Sequence, residues 1–459
     1  MKNTAEPALT RILTPTGMLG YGYPEQDFWD CVERGVDAIV VDSGSTDPGP
    51  YLLALGATLV SDASYLRDLR PMLQAAHRHG IPLFIGSAGG AGTRDQVDHL
   101  TALVSQIADD EGIILRVATV YADIDPGIAV RRLADGAISA NVRGELPTAA
   151  HLQDAAHLVG QMGAAPFTAL IDGEEPFDVV VAGRAYDPAP HAAWAISRGV
   201  QPGIAWHAGK ILECGGACAE PKGGGVLATY WTDAFELTPM SPGQRCTPLS
   251  VAAHTLYEKA RPDLLPGPDG VLDVTGCTYV AVDERTVRVN GSVHHDKPAT
   301  VKLEGAVVTG HRAAFIGGVR DPVLIGQLDQ LLERVRKYTA GLHPALADGA
   351  ARLDFHVYGR DAVMGRLEPS RQVPHEVGIL GTATAPDPEL AKAIATTARV
   401  AVLHAPYPGQ LATAGNLALP LNPMDNPIGP VSAFTVYHVM DATGLTDLFP
   451  IARKTVGPA

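Results

Sequence analysis

Residues 83–97 read LFIGSAGGAGTRDQV, which is a short apolar run, a turn with four glycines and the start of a helix. Thr93 and Gln96 have the spacing of a capping box, in which each side chain bonds a backbone N–H group at a helix start. A buried strand, a tight turn and a capped helix form one β–α unit, and repeated units build a parallel sheet. The stretch therefore predicts an α/β fold.

The same alternation continues through the first two hundred residues. The apolar runs are continuous, as expected for parallel strands that are covered on both faces. The predicted strands are Arg11–Leu13, Ala38–Val41, Leu83–Ile85, Ile114–Val120, Ala137–Ala140, Phe167–Ile171 and Val179–Ala182. The predicted helices are Glu25–Arg34, Arg94–Asp109, Pro126–Ala134 and Thr148–Gln161. We expect a doubly wound parallel sheet with right-handed crossovers.

An aspartate followed by a proline marks four predicted helix starts. The carboxylate accepts a hydrogen bond from an unpaired backbone N–H group, and the proline supplies a helical φ. The four are Asp125, Asp187, Asp321 and Asp387, and Thr247 with Pro248 has the same form. We interpret these aspartates as helix caps.

Beyond about residue 261 the pattern is richer in strands. The predicted strands are Leu272–Val282, Thr286–Val293, Thr300–Val308, Ala313–Val319, Leu353–Tyr358 and Glu376–Thr384, and the predicted helices are Pro322–Tyr338 and Pro388–Leu403. We expect an α/β domain over residues 1–250 and a smaller α+β domain over residues 251–459, with the boundary between 245 and 265.

The net charge of −15 argues against nucleic acids and anionic membranes as partners, because both would repel this chain. No apolar run has the ~20 residues that span a bilayer. The N-terminus lacks the layout of a signal peptide, and five cysteines in 459 residues do not form a disulfide framework. We expect a cytoplasmic homo-oligomer that binds a small anionic metabolite through local cations and backbone N–H groups.

Two loops that follow predicted strands are candidate ligand loops, because open α/β sheets bind ligands beyond the carboxyl ends of their strands. In the loop at 86–92, Ser87, Gly89 and Gly90 offer backbone N–H groups to a phosphate or carboxylate. A tight turn with close packing explains the same glycines. The spacing differs from the dinucleotide fingerprint, so NAD is not expected.

The loop at 42–47 reads DSGSTD. Ser43 and Ser45 are candidates for binding a substrate carboxylate, and Asp42 or Asp47 for moving a proton or holding a metal. An ordinary turn around Asp47 is the alternative.

Three arginines are candidates for anion binding. Arg184 follows a predicted strand and has the fork geometry that clamps a carboxylate, with an ion pair to a neighbouring acid as the alternative. Arg245 stands beside the helix start at Thr247, where the helix dipole also favours an anion. Arg143 is a weaker candidate of the same kind.

Lys302 and Glu304 alternate along a predicted strand, so their side chains point to one face. On a buried face such a pair suits acid–base catalysis. The apolar neighbours fill the opposite face, so the pattern favours a solvent-facing pair unless a ligand covers it.

His356, Tyr358 and Arg360 also share one strand face. They bring a proton carrier, a hydroxyl and a fork donor together, which suits a carboxylate substrate. His356 and Asp47 join Lys302 and Glu304 as the catalytic candidates.

His207, Cys214 and Cys218 have the spacing of one helix face and form a weak zinc signal. The glycines at 215 and 216 are expected to end that helix, and buried free thiols are common. A divalent metal therefore remains one of the alternatives for a cofactor. The chain also lacks the motifs of serine hydrolases, P-loop enzymes and zincins.

Five runs together resemble the acyclic terpene utilisation (AtuA) family over nearly the whole chain. They are GSAGGAG at 86–92, VAGR at 181–184, TPLSVAAHTLY at 247–257, VKLEGA at 301–306 and HVYGR at 356–360. The resemblance implies a place in the catabolism of unusual carboxylic acids and acyl-CoA compounds, with an acyl-CoA lyase step proposed for the founding pathway. It also implies a small companion domain, which we do not expect this chain to carry, and hence a separate companion subunit.

The function expected from all of this is a lyase or hydro-lyase for a small polycarboxylic acid or its CoA thioester. A hydrolase or isomerase of the same substrates is the main enzymatic alternative. A binding subunit that needs its companion for activity is the alternative from another class.

Overall fold

The computed structural model describes residues 7–141, 144–257, 261–370, 372–411, 414–445 and 447–458. Its helices are α1 Glu25–Glu33, α2 Tyr51–Leu55, α3 Asp62–His79, α4 Arg94–Glu111, α5 Pro126–Ala134, α6 Ala149–Gln153, α7 Ala165–Ile171, α8 Ala189–Ser197, α9 Pro202–Leu212, α10 Pro248–Thr255, α11 Pro322–Ile325, α12 Leu328–Leu342 and α13 Pro388–His404. Its strands are β1 Thr10–Thr14, β2 Ala38–Asp42, β3 Leu83–Gly86, β4 Leu115–Val120, β5 Ile138–Ala140, β6 His157–Gln161, β7 Val179–Ala182, β8 Ala219–Glu220, β9 Val226–Tyr230, β10 Ala234–Pro239, β11 Arg245–Cys246, β12 Leu264–Pro266, β13 Gly270–Asp273, β14 Thr278–Ala281, β15 Val287–Asn290, β16 Val293–Asp296, β17 Thr300–Val319, β18 Arg352–Tyr358, β19 Val377–Ala385, β20 Asn426–Asp441 and β21 Ile451–Val456.

The chain divides into two compact units, residues 1–307 with 434–459 and residues 308–433. The strands β17 and β20 contribute residues to both units. The domain boundary predicted near residue 250 does not coincide with this division, because residues 251–307 belong to the first unit. As a statement about domains it stays a prediction.

The first unit contains a ten-stranded mixed sheet in the order β14-β15-β10-β9-β1-β2-β3-β7-β4-β21. Its five central strands, from β1 to β4, are parallel, which confirms the predicted α/β class. The outer strands are antiparallel. Of these, β14 and β15 lie within the predicted strands Leu272–Val282 and Thr286–Val293, whereas the sequence does not predict β9, β10 and β21.

The central strands are buried on both faces. Val40, Phe84 and Val180 belong to one apolar cluster, which includes side chains of α8 and α9. Their chain neighbours Val41 and Ile85 belong to the other cluster, with side chains of α3 and α4. Helices therefore cover both faces of the parallel strands, which explains why the apolar runs of the sequence are continuous.

Two local predictions are wrong. Phe167–Ile171 lies in helix α7, where Phe167 and Leu170 are buried one turn apart. The predicted helix Thr148–Gln161 ends with α6, and β6 follows it as a strand paired with β17. This partner lies about 145 residues further along the chain, so local periodicity does not reveal it.

The second unit pairs the later part of β17 with β19, and β19 with β18, all antiparallel. Helices α12 and α13 contribute to its apolar core, together with residues such as Phe315 and Ile379. The predicted helix Pro322–Tyr338 is two helices, α11 and α12. None of the described helices combines the length and the apolar character that a bilayer crossing requires.

Candidate functional site

The strands β2, β3 and β7 lie side by side in the first unit. Asp42 at the end of β2 stands opposite Gly86 at the end of β3, and Ile85 stands opposite Val181 of β7. Because the three strands are parallel, the loops that follow them meet at one edge of the sheet.

Glycines allow these loops to touch. A Cβ atom on Gly44 would lie 2.1 Å from the Cα atom of Gly90, and one on Gly92 would lie 2.0 Å from the backbone nitrogen of Arg184. The N–H group of Gly89 donates to Ser43 Oγ, and that of Gly90 donates to the carbonyl of Ser87. Close packing therefore accounts for Gly89 and Gly90, whose N–H groups already have partners within the protein.

Ser87 and Arg184 connect the second and third loops. Ser87 has a φ of 48°, a left-handed conformation that is costly for a residue with a side chain. Its Oγ accepts hydrogen bonds from Arg184 Nη1 at 3.2 Å and from the backbone nitrogen of Ala185 at 3.3 Å. The strained residue thus holds the buried arginine in place.

Arg184 forms ion pairs with two carboxylates. Its Nε donates to Glu304 Oε2 at 2.8 Å, and its Nη1 lies 3.3 Å from Asp187 Oδ1. Arg184 therefore forms the ion pair with neighbouring acids that the sequence left open as its alternative role. The arginine fork is already engaged, so it acts on a ligand mainly through its charge.

Glu304 is fully buried between cations. Its Oε1 accepts from Lys302 Nζ at 2.6 Å and from Thr46 Oγ1 at 3.1 Å. Burial raises the pKa of Glu304, but the charges and hydrogen bonds of Arg184 and Lys302 outweigh burial and lower that pKa to about 2. Glu304 is therefore an anion at any physiological pH and a poor proton carrier.

The expectation that Lys302 and Glu304 face solvent is wrong for Glu304, which is 0 % exposed, whereas the Lys302 side chain is 18 % exposed. Both faces of β17 are covered here, because the four successive residues 303–306, which point to alternate faces, are all buried. Lys302 Nζ also lies 3.3 Å from the hydroxyl of Tyr437 and over its ring. Lys302 is thus the accessible cation of the pair.

Asp187 and Asp42 complete the cluster. Asp187 does not cap helix α8, where no side chain caps the N-terminus, because its carboxylate turns to Arg184. Its side chain is 27 % exposed. Burial raises the pKa of Asp187, and the charges of Arg184, Lys210 and Lys302 oppose this only in part.

Asp42 is 6 % exposed, and its Oδ1 atom has no hydrogen-bond partner among the described residues. Burial, and next the charge of Asp187, raise the pKa of Asp42 well above its ordinary value, while Arg184 lowers it. The sequence predicts Asp42 only as one of two alternatives for moving a proton, and it predicts Asp187 as a helix cap. The spacing of Arg184 and Asp187, which permits an (i, i+3) ion pair, is the signal that was available.

A cleft of about 580 Å³ in the first unit is lined by other residues than those of this cluster. It is lined mainly by small and apolar side chains, with Cys214, Glu220, Lys222 and His254 among them. Tyr257 also lines it, and Lys210 Nζ lies 5.5 Å from the ring centroid of Tyr257. Lys210 thus acts on Asp187 through its charge and also contacts Tyr257 in the lining of the cleft.

Of the other candidates in the first unit, Asp47 is exposed and lies outside the core of the cluster. Its charge still raises the pKa of Asp187. Ser45 Oγ accepts from the backbone nitrogen of Asp47. Arg245 is 62 % exposed on the β8–β11 pair and faces Glu220 at 3.6 Å, outside the cluster. Arg143 lies outside the described residues.

His356 and Arg360 lie in the second unit. Both line a cleft of about 690 Å³. Arg360 pairs with Asp329 at 2.9 Å and with Asp361 at 3.2 Å. The structure therefore places them in a cleft of their own unit.

The weak zinc candidates do not form a ligand set. The ring nitrogens of His207 contact Ser292 Oγ at 2.7 Å and Thr255 Oγ1 at 3.0 Å, and helix α9 ends at Leu212, before the cysteines. Cys218 Sγ lies 4.0 Å from Cys246 Sγ. In the described ranges, no group of three His, Cys, Asp or Glu side chains is placed to hold a metal ion.

The fold and this cluster define an α/β protein with a charged, partly accessible site at the carboxyl ends of parallel strands. The chain belongs to the acyclic terpene utilisation protein AtuA family, whose model matches residues 57–234 and 234–419. The matched segments contain Arg184, Asp187, Lys302 and Glu304. No curated protein and no solved structure matches the chain.

Proposed function

We propose that the chain is a catabolic lyase or hydro-lyase for a small carboxylic acid or its CoA thioester, with its active site at the ends of β2, β3 and β7. The observation that carries the proposal is Asp187, a partly exposed carboxyl group with a raised pKa beside Arg184 and Lys302. A group whose pKa is raised toward neutrality is suited to proton transfer. The AtuA family supports a catabolic role.

We assign a separate role to each residue. Lys302 is accessible and attracts the substrate carboxylate, while Glu304 fixes Lys302 and Arg184 in place. Asp187 in its protonated form donates to the leaving oxygen or to the carbon that receives a proton.

The test is a turnover assay on hydroxy acids, unsaturated acids and their CoA thioesters, run in D₂O with mass detection of the products. A lyase or hydro-lyase changes the mass by water or by a carbon fragment and introduces solvent deuterium at carbon in the addition direction. A product with the composition of the substrate, apart from deuterium in place of hydrogen, would indicate an isomerase, and cleavage of an ester or thioester without deuterium at carbon would indicate a hydrolase.

Three further expectations are tested, the first two with the same assay. Activity that appears only after the separately expressed companion subunit is added would identify this chain as a binding subunit. Treatment with a chelator, followed by metal analysis, determines whether a divalent metal takes part. The homo-oligomeric state is measured by light scattering.

A further inference from the structure

We infer that strand β14 pairs with β14 of a second copy of this chain, so that two ten-stranded sheets join across a two-fold axis. This pairing is independent of the proposed reaction. It gives the expected homo-oligomer a defined contact, with Val280 on the axis.

Strand β14 is an outer edge of the sheet and pairs with β15 on one side. Val282, just after the strand, donates its backbone N–H to the carbonyl of Thr286, and hydrogen-bonded pairs alternate along an antiparallel ladder. The N–H and C=O groups of Tyr279 and Ala281 therefore point away from β15. Neither of these N–H groups has a hydrogen-bond partner among the described residues. The edge is thus open to another strand.

The two faces of β14 differ. The ring of Tyr279 packs against the apolar core of the first unit. Val280 and Val282 point to the opposite face and are 57 % and 51 % exposed. The cross-strand neighbour of Val280 is Arg288, which pairs with Glu236 at 3.0 Å. The exposed face at this edge is therefore apolar and lies beside a charge that is already neutralised.

The opposite edge of the same sheet, β21, has the features that prevent pairing. It exposes Arg453 and Lys454 in succession, and charged side chains, lysine above all, keep an edge strand from pairing with a copy of itself. The sequence of β14, Thr278–Ala281, contains no charged residue. Of the two edges, β14 is thus the one that favours a partner strand.

A second copy fits this edge because the strand is complementary to itself. With Val280 on a two-fold axis, antiparallel pairing places Tyr279 opposite Ala281 of the second copy. Both residues carry the outward-pointing backbone groups, so each such pair exchanges two hydrogen bonds. The same register places Thr278 opposite Val282 and Val280 opposite itself, and the exposed valines of the two copies then meet.

Charge restricts contact between two copies to surfaces of this kind. Each copy has a net charge of −15, so the two repel each other over most of their surfaces. In this register Asp283 lies opposite Cys277, and no two acids are directly opposed, which is the arrangement that destabilises strand pairs. The two-fold contact also uses the same strand on both copies, so the assembly is closed.

The test is the molar mass, by light scattering at micromolar concentration, of the wild type and of Val280→Lys. We expect Val280→Lys to have half the mass of the wild type, because two lysines would face each other on the axis. Ala452→Lys is the matched control, since Ala452 is an exposed residue of the opposite edge, β21. This control should keep the wild-type mass.

A mixture of Val280→Lys and Val280→Glu tests whether position 280 meets its own copy. Each variant alone should have half the wild-type mass, and the mixture should regain the full mass because opposite charges then face each other. Hydrogen exchange reports on the backbone. The amides of Tyr279 and Ala281 should be protected in the wild type and exchange fast in Val280→Lys.

Three results overturn the inference. The wild type is a single chain at this concentration, which would leave the edge to a strand of a different protein, or Val280→Lys keeps the wild-type mass, or the mixture stays at half that mass. None of these measurements uses a substrate. A failure here therefore leaves the proposed function standing, and an acid panel without turnover leaves the strand pairing standing.

Discussion

Glu304 is the residue on which the buried charges of the site depend. Its carboxylate is the partner of both Arg184 and Lys302, and removing one partner of a buried ion pair typically costs ~3–5 kcal/mol. We therefore expect Glu304→Gln to lower the free energy of unfolding by about that amount in urea denaturation.

Glu333→Gln is the matched control. Glu333 is 53 % exposed and pairs with Lys337 at 3.5 Å, and exposed pairs of this kind contribute ~0–1 kcal/mol. Equal losses in the two variants would show that Glu304 does not hold a buried network.

The same residue sets a pH dependence. The pKa of Glu304 is lowered to about 2 in the folded protein, against ~4.3 in an unfolded chain. Its contribution to stability is therefore complete above the unfolded pKa and is lost as the pH falls toward the folded pKa. The difference in unfolding free energy between wild type and Glu304→Gln should shrink between about pH 5 and pH 3. A difference that stays constant over this range would contradict the assignment.

At the scale of residues, the sequence predicts the members of the charged cluster better than it predicts their roles. Arg184, Lys302 and Glu304 were all named, and the structure joins them. Their mutual contact spans 120 residues between Arg184 and Glu304, and no local pattern encodes a contact over that distance. The burial of Glu304 was missed for the same reason.

At the scale of elements, the loop at 86–92 is defined by the absence of side chains. Gly92 and Gly112 both have a left-handed φ, of 66° and 65°. A Cβ atom on Gly112 meets nothing within 4 Å, but one on Gly92 would overlap the backbone of Arg184. Gly112→Ala should therefore cost ~1–2 kcal/mol from φ alone, and Gly92→Ala at least ~2 kcal/mol more from the overlap.

Thermal and urea denaturation of the two glycine variants measure this difference. A similar loss in both would mean that the loops after β3 and β7 do not need to approach so closely.

The helix starts give a second prediction at this scale. Asp125 caps α5 through the backbone nitrogen of Ile128 at 3.1 Å, so Asp125→Ala should cost about 1 kcal/mol. Asp187 stands before a proline in the same way but caps nothing, and its raised pKa reflects an environment that disfavours its charge. We expect Asp187→Asn to be at least as stable as wild type at pH 7, by calorimetry. A stability loss as large as that of Asp125→Ala would assign Asp187 a structural role instead.

Local sequence patterns predict the helix starts well where the helix begins with a capping residue. The capping box of Thr93 and Gln96 is confirmed, and so are the caps at Asp125, Asp321 and Asp387. The four residues from Asp187 to Pro190 show the limit: the dipeptide signal is present, but the electrostatics of Arg184 redirects the carboxylate.

For the whole molecule, continuous apolar runs in the sequence predict the parallel core of the sheet. They do not predict how its outer, antiparallel strands pair. The last strand, β21, pairs with β4 across more than 300 residues, and β9 pairs with β1 across more than 200. Such pairing is decided by tertiary packing, which single-chain periodicity does not contain. The candidate site was predictable as an edge of the parallel core because that edge follows from topology alone.

The central claim is that chemistry takes place at the ends of β2, β3 and β7. It is tested most directly by comparing kcat/KM for Asp187→Asn and His356→Asn on whichever acid the panel identifies. The account predicts a loss of at least ~10²-fold in Asp187→Asn, as for removal of a general acid, and activity near that of wild type in His356→Asn. The opposite pattern, with Asp187→Asn active and His356→Asn inactive, would place the reaction in the cleft of the second unit and contradict the account.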